Sequence, residues 1–321
     1  MSDSRALVSL DDVRAAAERI ASSCLRTPVV PLVAADGSVP FLLKAEGLQP
    51  TGAFKLRGAT NAIALLDDEQ RRAGVVTHSS GNHAQAVAYA ARAAGVQAII
   101  VIPDSAPDIK VAATARWGAE IVRVPAAERL QRAEQIASDT GAELIPPYDD
   151  ARVIAGQGTV GLEVVEQVPD LDVVVVPVSG GGLVSGIAAA VKALRPDVRV
   201  VAVEPELAGD LAEGWAAGER RVWPVADTQR TVADGLRTDS VGLLNWDHIT
   251  AFVDDVVTVS DDDILTAVGT VVRGSRLVVE ASGAVAAAAL LHDRVDVGDG
   301  TAVAIASGAN IDPDVLARLI G

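Results

Sequence analysis

The sequence has little of several residue types, and each shortage excludes a class of protein. Among 321 residues there are one cysteine, Cys24, and four scattered histidines. A disulfide within the chain is therefore impossible, and no cluster has the spacing of a zinc site. Aromatic residues make up only 3% of the chain although half of it is hydrophobic. Alanine and valine thus supply most of the apolar surface, which favours helices packed on a buried sheet over an aromatic-rich sandwich.

Basic residues are also scarce, since 27 Lys and Arg against 43 Asp and Glu give a formal net charge of −16. A surface this acidic repels phosphate backbones and anionic membranes, which argues against partners of either kind. No apolar run approaches the roughly 20 residues of a membrane-spanning helix, and the polar N-terminus lacks a secretory leader pattern. We therefore expect a cytoplasmic protein that acts on small molecules, either as an enzyme or as a binding protein.

Runs rich in valine and isoleucine alternate with alanine-rich stretches along the chain. Because these runs are almost entirely apolar, they predict parallel strands that are buried on both faces. The pattern indicates an α/β protein with doubly wound parallel sheets. The predicted strands include 40–46, 98–103, 172–179, 199–205 and 301–307, and the predicted helices include 54–66, 82–94, 107–117, 159–168 and 184–194.

The best candidate domain boundary is the pair Pro146-Pro147 with the turn at Asp149-Asp150 that follows it. The segment before it can form a small β-α-β-α layer, whereas the later strands need a second, larger sheet. We predict a small domain over 73–148 and a large domain built from 1–72 and 149–321.

Three predicted strands end in polar or glycine-rich turns, with the sequences THSSGNH, VSGGGL and ASGAN. In sheets of this kind, ligands bind beyond the carboxyl ends of the strands. The recurrence of such turns at equivalent places is the first indication of a functional site.

The glycine-rich turn 179–183 lies between a predicted strand and a predicted helix. Three successive glycines allow backbone N–H groups to close around an anion at the positive end of the helix. Ser185 stands where the dinucleotide fingerprint needs Gly or Ala, so a phosphate monoester fits better than a pyrophosphate. The alternative is a tight turn that needs glycine for packing alone.

Two further motifs supply polar groups. In TGAFKLRGA, Lys55 starts a predicted helix, whose positive end disfavours the charged amine and helps to keep it nucleophilic. The alternative is a solvated surface lysine. In SSGNH at 79–83, hydroxyls, an amide and backbone donors form a cradle suited to a carboxylate, although Asn82 is equally explained as a helix cap.

The motifs in this order resemble those of fold type II pyridoxal-phosphate enzymes, in particular the threonine/serine dehydratase and serine racemase group. The resemblance extends from Arg26 to Asn310. It implies a tryptophan synthase β-like fold with two parallel-sheet domains, pyridoxal 5′-phosphate as cofactor, an amino-acid substrate and a homodimer. The matching segments are KAE at 44–46, TGAFKLRGA, THSSGNHAQAVAYAA, VIAGQGTVGLE, PVSGGGLVSGIA, VADGLR and ASGAN.

The resemblance also implies roles for single residues. Lys55 would hold the cofactor as a Schiff base, Asn82 would bind its O3′, and Ser307 would meet the pyridine nitrogen. Lys55 and Ser80 are the catalytic candidates, and Arg129 is equally explained as an exposed helical charge. The implied cofactor-binding residues are Phe54, Lys55, Asn82, Gly180, Gly181, Gly182, Leu183 and Ser307. The implied substrate-binding residues are Ser79, Ser80, Gly81, His83 and Arg129.

A metal site is suggested by Glu204, the carbonyl of Ala208 and Asp210, an oxygen-rich set that suits Mg²⁺ or Ca²⁺ completed by water. The resemblance implies the same, because racemase-like members of the group hold a divalent ion in this arrangement. In so acidic a chain, paired carboxylates also arise by chance.

The activity that the resemblance implies is β-elimination from L-threonine and/or L-serine, which yields 2-oxobutanoate or pyruvate and ammonia. A hydroxyl at Ser307, in place of a carboxylate, makes the cofactor ring a weaker electron sink and so favours elimination. Ser80 permits serine racemisation as an alternative. A 3-hydroxyaspartate dehydratase and a non-catalytic protein that binds pyridoxal phosphate or an amino acid are further alternatives.

Four residues depart from the family pattern. Ala53 stands where serine is usual, Ser179 replaces the first glycine of the phosphate loop, Ser282 replaces an alanine, and Ala309 replaces a glycine. None of these changes removes a catalytic group.

Overall fold

The structure, a computed structural model, describes residues 6–106 and 108–320, except for the side chain of Ile109. The helices are α1 Leu10–Ile20, α2 Lys55–Ala64, α3 Asp68–Ala73, α4 Asn82–Ala94, α5 Asp108–Ala115, α6 Arg129–Thr140, α7 Ala151–Gln167, α8 Gly182–Leu194, α9 Asp210–Ala217, α10 Val225–Thr228, α11 Leu243–Phe252, α12 Asp261–Ser275, α13 Ala281–Leu291 and α14 Pro313–Ile320. The strands are β1 Val29–Pro31, β2 Leu42–Ala45, β3 Val75–His78, β4 Ala98–Pro103, β5 Glu120–Val124, β6 Glu143–Leu144, β7 Leu171–Pro177, β8 Arg199–Pro205, β9 Asp255–Val259 and β10 Thr301–Ala306.

The strands form two sheets. The larger has the order β1-β2-β10-β7-β8-β9, in which only the edge strand β1 is antiparallel to its neighbour. The smaller has the order β5-β4-β3-β6 and is parallel throughout. The α/β class with two parallel sheets is therefore confirmed. All four strands of the smaller sheet lie within 75–144, and the domain limits at 72 and 148 stay a prediction.

Strand β7 shows why the apolar runs become buried strands. Val173 and Val175 face the core that contains α12 and α13, whereas Val174 and Val176 face the core under α8. All four side chains are at most 2% exposed. Since a fully buried valine contributes about 1.5–3 kcal/mol relative to an exposed one, each such strand is fixed between two helical layers.

Helix α7 begins at Ala151, and the predicted start at residue 159 is wrong. Asp150 caps the helix, because its carboxylate accepts from two backbone N–H groups of the first turn. The glycines of this helix serve close packing. A Cβ on Gly156 would lie 2.6 Å from the Cα of Gly58, so glycine allows α7 to touch α2.

Helix α2 connects the two sheets. Its residues Leu56, Ala59 and Ile63 pack in the core of the smaller sheet. Just before the helix, the N–H of Phe54 donates to the carbonyl of Ser307, at the end of the larger sheet, over 3.0 Å. The start of α2, and with it Lys55, is thus placed between the sheets. None of the helices in the described ranges is both long and apolar enough to cross a membrane.

Candidate active site

Lys55 lies beside the turn that follows β10. Ala53 and Gly308 form an isolated antiparallel bridge, and the hydrogen bond from Phe54 to Ser307 extends this pairing. Residues that are about 250 positions apart in the chain are therefore joined by backbone contacts. The pairing places the lysine and the strand-end serine, two of the predicted site residues, next to each other.

The amine of Lys55 is largely buried and has a single described hydrogen bond, in which Nζ donates to the carbonyl of Pro147 over 2.7 Å. It also lies 5.1 Å from the ring centroid of Phe54. Burial lowers the pKa of Lys55 to about 8. The alternative of a solvated surface lysine does not fit this environment, which is typical of a nucleophilic amine.

The glycine-rich turn lies under the side chain of Tyr148. A Cβ on Gly180 would lie 2.2 Å from the tyrosine ring, and Gly181 has a φ of +94° with Asn245 close by. Packing alone therefore requires glycine at both positions. In addition, α8 begins at Gly182 without a side-chain cap, so its first N–H groups have no partner within the helix and suit an anion.

The turn after β3 has open space at the start of α4. A Cβ on Gly81 would meet nothing within 4 Å, and Gly81 precedes the helix without a side-chain cap. The Oγ of Ser79 accepts from the N–H of Gly81 over 3.2 Å, which orders the turn. The unpaired N–H groups of this 13-residue helix and the adjoining space suit a carboxylate.

Asn82 is the first residue of α4, so its side chain is not the helix cap. Its Nδ2 donates to Oε1 of Glu280 over 2.6 Å, and its Oδ1 accepts from Nδ2 of Asn310 over 2.8 Å. The structure thus gives Asn82 two partners, one just before α13 and one in the turn after β10. The sequence reasoning assigned no role to either of them.

The His83 side chain is buried, and its Nε2 donates to the carbonyl of Ile145 over 3.0 Å. Burial, together with the positive charge of Lys55, lowers the pKa of His83 to about 3, so the ring is neutral. A substrate carboxylate at this turn would meet the backbone N–H of His83 and not an imidazolium.

Ser80 and Arg129 differ in how the structure places them. Ser80 is partly exposed on the turn before α4, and no hydrogen bond to its hydroxyl is found within 6–106 and 108–320. Arg129 begins α6 and donates from Nε to the carbonyl of Ala126 over 3.0 Å. It therefore binds its own helix start, and its charge helps burial to lower the pKa of His78. Arg129 is half-buried, and both its substrate role and the alternative of an exposed helical charge stay predictions.

The candidate metal ligands Glu204 and Asp210 are buried carboxylates. Oε2 of Glu204 accepts from the N–H of Ala212 over 2.9 Å, whereas Oε1 is buried and has no described partner. Oδ2 of Asp210 accepts from the N–H of Val241 over 3.0 Å. Burial and the neighbouring Asp210 raise the pKa of Glu204, and burial raises that of Asp210 to about 7.

These features fit a divalent cation. Burying two carboxylates and an oxygen without a partner costs free energy, and a bound positive charge would offset this cost. The carbonyl of Ala208 lies in the turn between the two acids. Elsewhere in the described ranges, as here, no group of three or more His, Cys, Asp or Glu side chains is arranged to hold a metal.

The remaining polar groups fit pyridoxal phosphate. The start of α8 offers N–H groups for a phosphate, and Lys55 offers an amine for an aldehyde. Ser307 is 4% exposed, and its hydroxyl has only a long 3.4 Å contact to the carbonyl of Ser282, so it can bind a ring nitrogen. The N–H of Phe54 joins the lysine to the Ser307 end of the larger sheet. The Lys55 partner Pro147 directly precedes Tyr148, which covers the glycine-rich turn, so the three elements are linked through neighbouring residues.

Three of the departures from the family pattern have partners in the structure. The hydroxyl of Ser282 accepts from the N–H of Gly235 over 2.8 Å, and that of Ser179 lies 3.0 Å from the hydroxyl of Thr238. The methyl group of Ala309 packs against a glycine at position 47. Nothing in the structure explains the alanine at position 53.

Sequence reasoning also missed Arg57, which is 1% exposed. Its guanidinium binds Glu46 through Nε and Nη2 and Glu163 through Nη1 and Nη2, over 2.6–2.9 Å. A single charged residue after Lys55 in an otherwise uncharged helix was the available signal. Its partners could not be read from the sequence, because Glu163 is 106 positions away.

Comparisons with known proteins agree with this geometry. The family model described as "Pyridoxal-phosphate dependent enzyme" matches residues 20–308. The chain is 42% identical to serine racemase from Oryza sativa subsp. indica over 316 residues, which cover 96% of this chain and 92% of the relative. It is 38% identical to the catabolic L-threonine dehydratase of Escherichia coli (strain K12) over 320 residues, or 98% of this chain and 96% of the relative.

The solved structure of maize serine racemase superimposes with a TM-score of 0.92 at 42% identity, covering 98% of this chain and 97% of that chain. The expected fold type II architecture is thereby confirmed. On the family match, the high identity over almost the full length and the shared fold, this chain belongs to the family of pyridoxal-phosphate dependent enzymes.

Proposed function

We propose that this protein is a dehydratase that converts L-threonine and/or L-serine to 2-oxobutanoate or pyruvate and ammonia. The observation that carries the proposal is the backbone pairing of 53–54 with 307–308, which joins the start of the lysine-bearing helix to the strand end that carries Ser307. A neutral hydroxyl near the ring nitrogen of the cofactor favours elimination over a long-lived carbanion. The similarity to a bacterial L-threonine dehydratase supports the same activity.

Pyridoxal phosphate, when bound, supplies an electron-withdrawing ring next to the reacting carbon. The N–H groups of Gly180–Gly182 and Leu183 would hold its phosphate at the start of α8. Phe54 would pack against it, Asn82 would donate to its O3′, and Ser307 would bind its ring nitrogen.

Lys55 would act as the base. With a pKa near 8, about a tenth of its amine is unprotonated at pH 7, far more than for a lysine with the usual pKa. The amine would take the proton from Cα of the amino acid, and the carbonyl of Pro147, its present partner, would help to orient it. Burial of this amine also excludes water that would otherwise compete for the proton.

The turn before α4 would bind the substrate carboxylate. The open space at Gly81 and the unpaired N–H groups of the helix start supply a site for an anion. Ser79, Ser80 and the backbone of His83 would surround it, and Arg129 would lie at the rim.

Serine racemisation is the second candidate function, and Ser80 favours it. Racemisation needs a proton donor on the face of Cα opposite to Lys55, and the Ser80 hydroxyl has no described partner that would occupy it. The relatives from rice and maize are serine racemases. The two activities share Lys55 and differ in their dependence on Ser80.

We also propose that Glu204, Ala208 and Asp210 hold Mg²⁺ or Ca²⁺. The ion would tie the end of β8 to the start of α9 and neutralise the buried acids. A homodimer and a cytoplasmic location are further proposals, which rest on the resemblance and on the composition.

The test is an assay of the purified, cofactor-loaded protein with L-threonine, L-serine, D-serine and 3-hydroxyaspartate, each with and without Mg²⁺. The 2-oxo acid and the chirality of the remaining amino acid are followed together. We expect 2-oxo acid from L-threonine or L-serine that is lost in Lys55→Ala. The matched control is Lys192→Arg, which should retain full turnover. Lys192 lies near the end of α8, away from the candidate active site, and pairs with Asp254.

Other outcomes would contradict the dehydratase. D-serine that accumulates faster than pyruvate, and that is lost in Ser80→Ala while elimination remains, would identify a racemase. Turnover of 3-hydroxyaspartate alone would identify the variant dehydratase. A bound, spectrally normal cofactor without turnover of any substrate would indicate a binding protein.

A further inference from the structure

The side-chain amide of Asn82 is held between Glu280, which precedes α13, and Asn310, which follows β10. Glu280 accepts from its Nδ2 over 2.6 Å, and Asn310 donates to its Oδ1 over 2.8 Å. The amide of Asn310 is itself fixed, because the same Nδ2 also donates to the carbonyl of Thr51 over 2.8 Å. The plane of the Asn82 amide therefore has one orientation.

Glu280 is built into the end of β10. Its N–H donates to the carbonyl of Gly308 over 3.0 Å, and its own carbonyl accepts from the N–H groups of Gly283 and Ala284 at the start of α13. A Cβ on Gly308 would lie 2.3 Å from Oε1 of Glu280. Only glycine at 308 leaves room for the carboxylate, which is thus adjacent to Ser307.

A carboxylate in this position costs folding free energy, because it is buried near another acid. The Glu280 side chain is buried, and the charged groups that face it are Asp234 and Lys110, which pair with each other across the two sheets. Burial and the charge of Asp234 raise the pKa of Glu280 to about 7. Because a well-packed apolar residue would be less costly, stability does not account for a glutamate here.

We infer that Glu280 is a positioning residue for the cofactor: together with Asn310 it fixes the Asn82 amide so that one Nδ2–H can only donate to O3′ of pyridoxal phosphate. The inference rests on the cofactor-binding part of the proposed function and not on the choice between elimination and racemisation.

The donors and acceptors of the Asn82 amide determine which atom is left to bind a ligand. An asparagine amide has one oxygen and two N–H donors. Asn310 donates to the Asn82 oxygen and Glu280 accepts one of the two N–H donors, so the second N–H is what remains for a ligand. A fixed donor stabilises the ionised form of the phenolic O3′ over its protonated form. Without Glu280 the amide can turn and present its oxygen, which would favour the protonated form.

Three substitutions separate position from charge. Glu280→Gln keeps an acceptor oxygen in the same place and removes the charge, whereas Glu280→Asp keeps the charge and withdraws the oxygen from Asn82. Glu280→Ala removes both. If position is what matters, the glutamine variant should behave as the parent protein does, and the aspartate and alanine variants should both be defective.

The readouts are the dissociation constant for pyridoxal phosphate, titrated into the cofactor-free protein, and the visible spectrum of the bound cofactor. For Asp and Ala we expect the constant to rise about tenfold, the order of one hydrogen bond to a charged group. The absorption should shift from the band of the ionised to that of the protonated O3′. For the glutamine variant we expect a dissociation constant within about threefold of the parent value and an unchanged absorption band. Asp263→Ala, which removes a helix-capping carboxylate of α12, is the control that should lower stability but leave both readouts unchanged.

If Glu280→Asp behaves as the parent protein does and Glu280→Gln is defective, the charge and not the position is what matters, and the inference is overturned. The inference is also overturned if all three variants keep the affinity and the spectrum of the parent protein. If the alanine variant does not fold, the comparison of Asp with Gln decides alone. Failure of the parent protein to bind pyridoxal phosphate would instead count against the proposed function.

Discussion

Replacing Arg57 by methionine should destabilise the protein more than most single substitutions do. The arginine is completely buried and binds two carboxylates, of which Glu46 is also completely buried. In Arg57→Met the apolar side chain fills much of the space, but Glu46 retains only the neutral partners Thr27 and Gln49 in its immediate contact. The variant thus contains a buried carboxylate without its main counter-charge.

The magnitude follows from this uncompensated charge. Breaking a buried pair by removal of one partner costs about 3–5 kcal/mol of unfolding free energy. With an unfolding entropy of about 2.1 cal/mol/K per residue, a chain of this length loses about 6 °C of Tm for about 4 kcal/mol. Since Arg57 is two positions after Lys55, the retention of pyridoxal phosphate should also weaken.

The double variant with Glu46→Gln is the internal check. Removing the stranded charge should recover about half of the lost stability, because neutral partners of similar size are often tolerated in place of a buried pair. Urea unfolding followed by circular dichroism measures both variants. Arg26→Ala, which breaks the exposed pair with Glu166, is the control and should change the unfolding free energy by less than about 1 kcal/mol.

The pH dependence supplies a second check with a defined sign. In the parent protein, burial acts to raise the pKa of Glu46, but Arg57 outweighs it and the pKa is lowered. Its contribution to stability is thus present above pH 4.5 and is lost in acid. In Arg57→Met the pKa of Glu46 should rise. The difference in unfolding free energy between the parent protein and this variant should therefore become smaller as the pH falls towards 4.5. A loss below 1 kcal/mol at pH 8, or a double variant no better than the single one, would refute this account.

Two further predictions concern pH. The rate at which the cofactor-free protein attaches pyridoxal phosphate, followed by absorbance, should rise with pH around a midpoint near 8, because burial lowers the pKa of Lys55 to that value; a midpoint near 10.5 would contradict the buried placement of the amine. His83 should destabilise the protein in acid. Its folded pKa of about 3 lies below the usual 6.5, so the unfolded chain binds more protons, and unfolding free energy should fall by up to about 1.4 kcal/mol per pH unit between pH 6.5 and 3. Urea titrations should show a smaller slope in His83→Gln, and an equal slope would contradict the assignment.

The regular elements could be predicted where the signal is local. The helix over 82–94 and the strands over 98–103 and 199–205 have the same limits in the structure as in the sequence-based prediction. In these segments the burial of the apolar residues follows from the pattern, whereas Glu204 and Gln85 are buried polar side chains that the pattern does not predict. The predicted start of helix α7 is eight residues too late. The glycines of this helix pack against α1, α2 and α8, contacts that depend on other parts of the chain.

The same distinction applies to the site. The glycine turn, the lysine motif and the polar turn before α4 are each contiguous, so they could be found in the sequence. The bonds between them join Lys55 to Pro147, 92 positions away, and Asn82 to Glu280, 198 positions away. Such partners depend on the path of the chain between the motifs, and neither Pro147 nor Glu280 belongs to a pattern that would single it out as a partner.

The division of the site between two sheets gives those long-range bonds a functional meaning. Lys55, the glycine turn and Ser307 are fixed to the larger sheet, whereas the proposed carboxylate cradle follows β3 of the smaller one. A substrate that reacts at Lys55 while its carboxylate is bound at the start of α4 must contact both positions. The distance between Lys55 and the start of α4 therefore determines how the substrate is oriented for the reaction. Side-chain contacts that bridge the two parts include the bonds of Asn82 with Glu280 and Asn310 and the ion pair of Lys110 with Asp234. In the proposed site the buried glutamate would therefore act on cofactor and substrate together, because the amide that it binds belongs to Asn82, the first residue of α4.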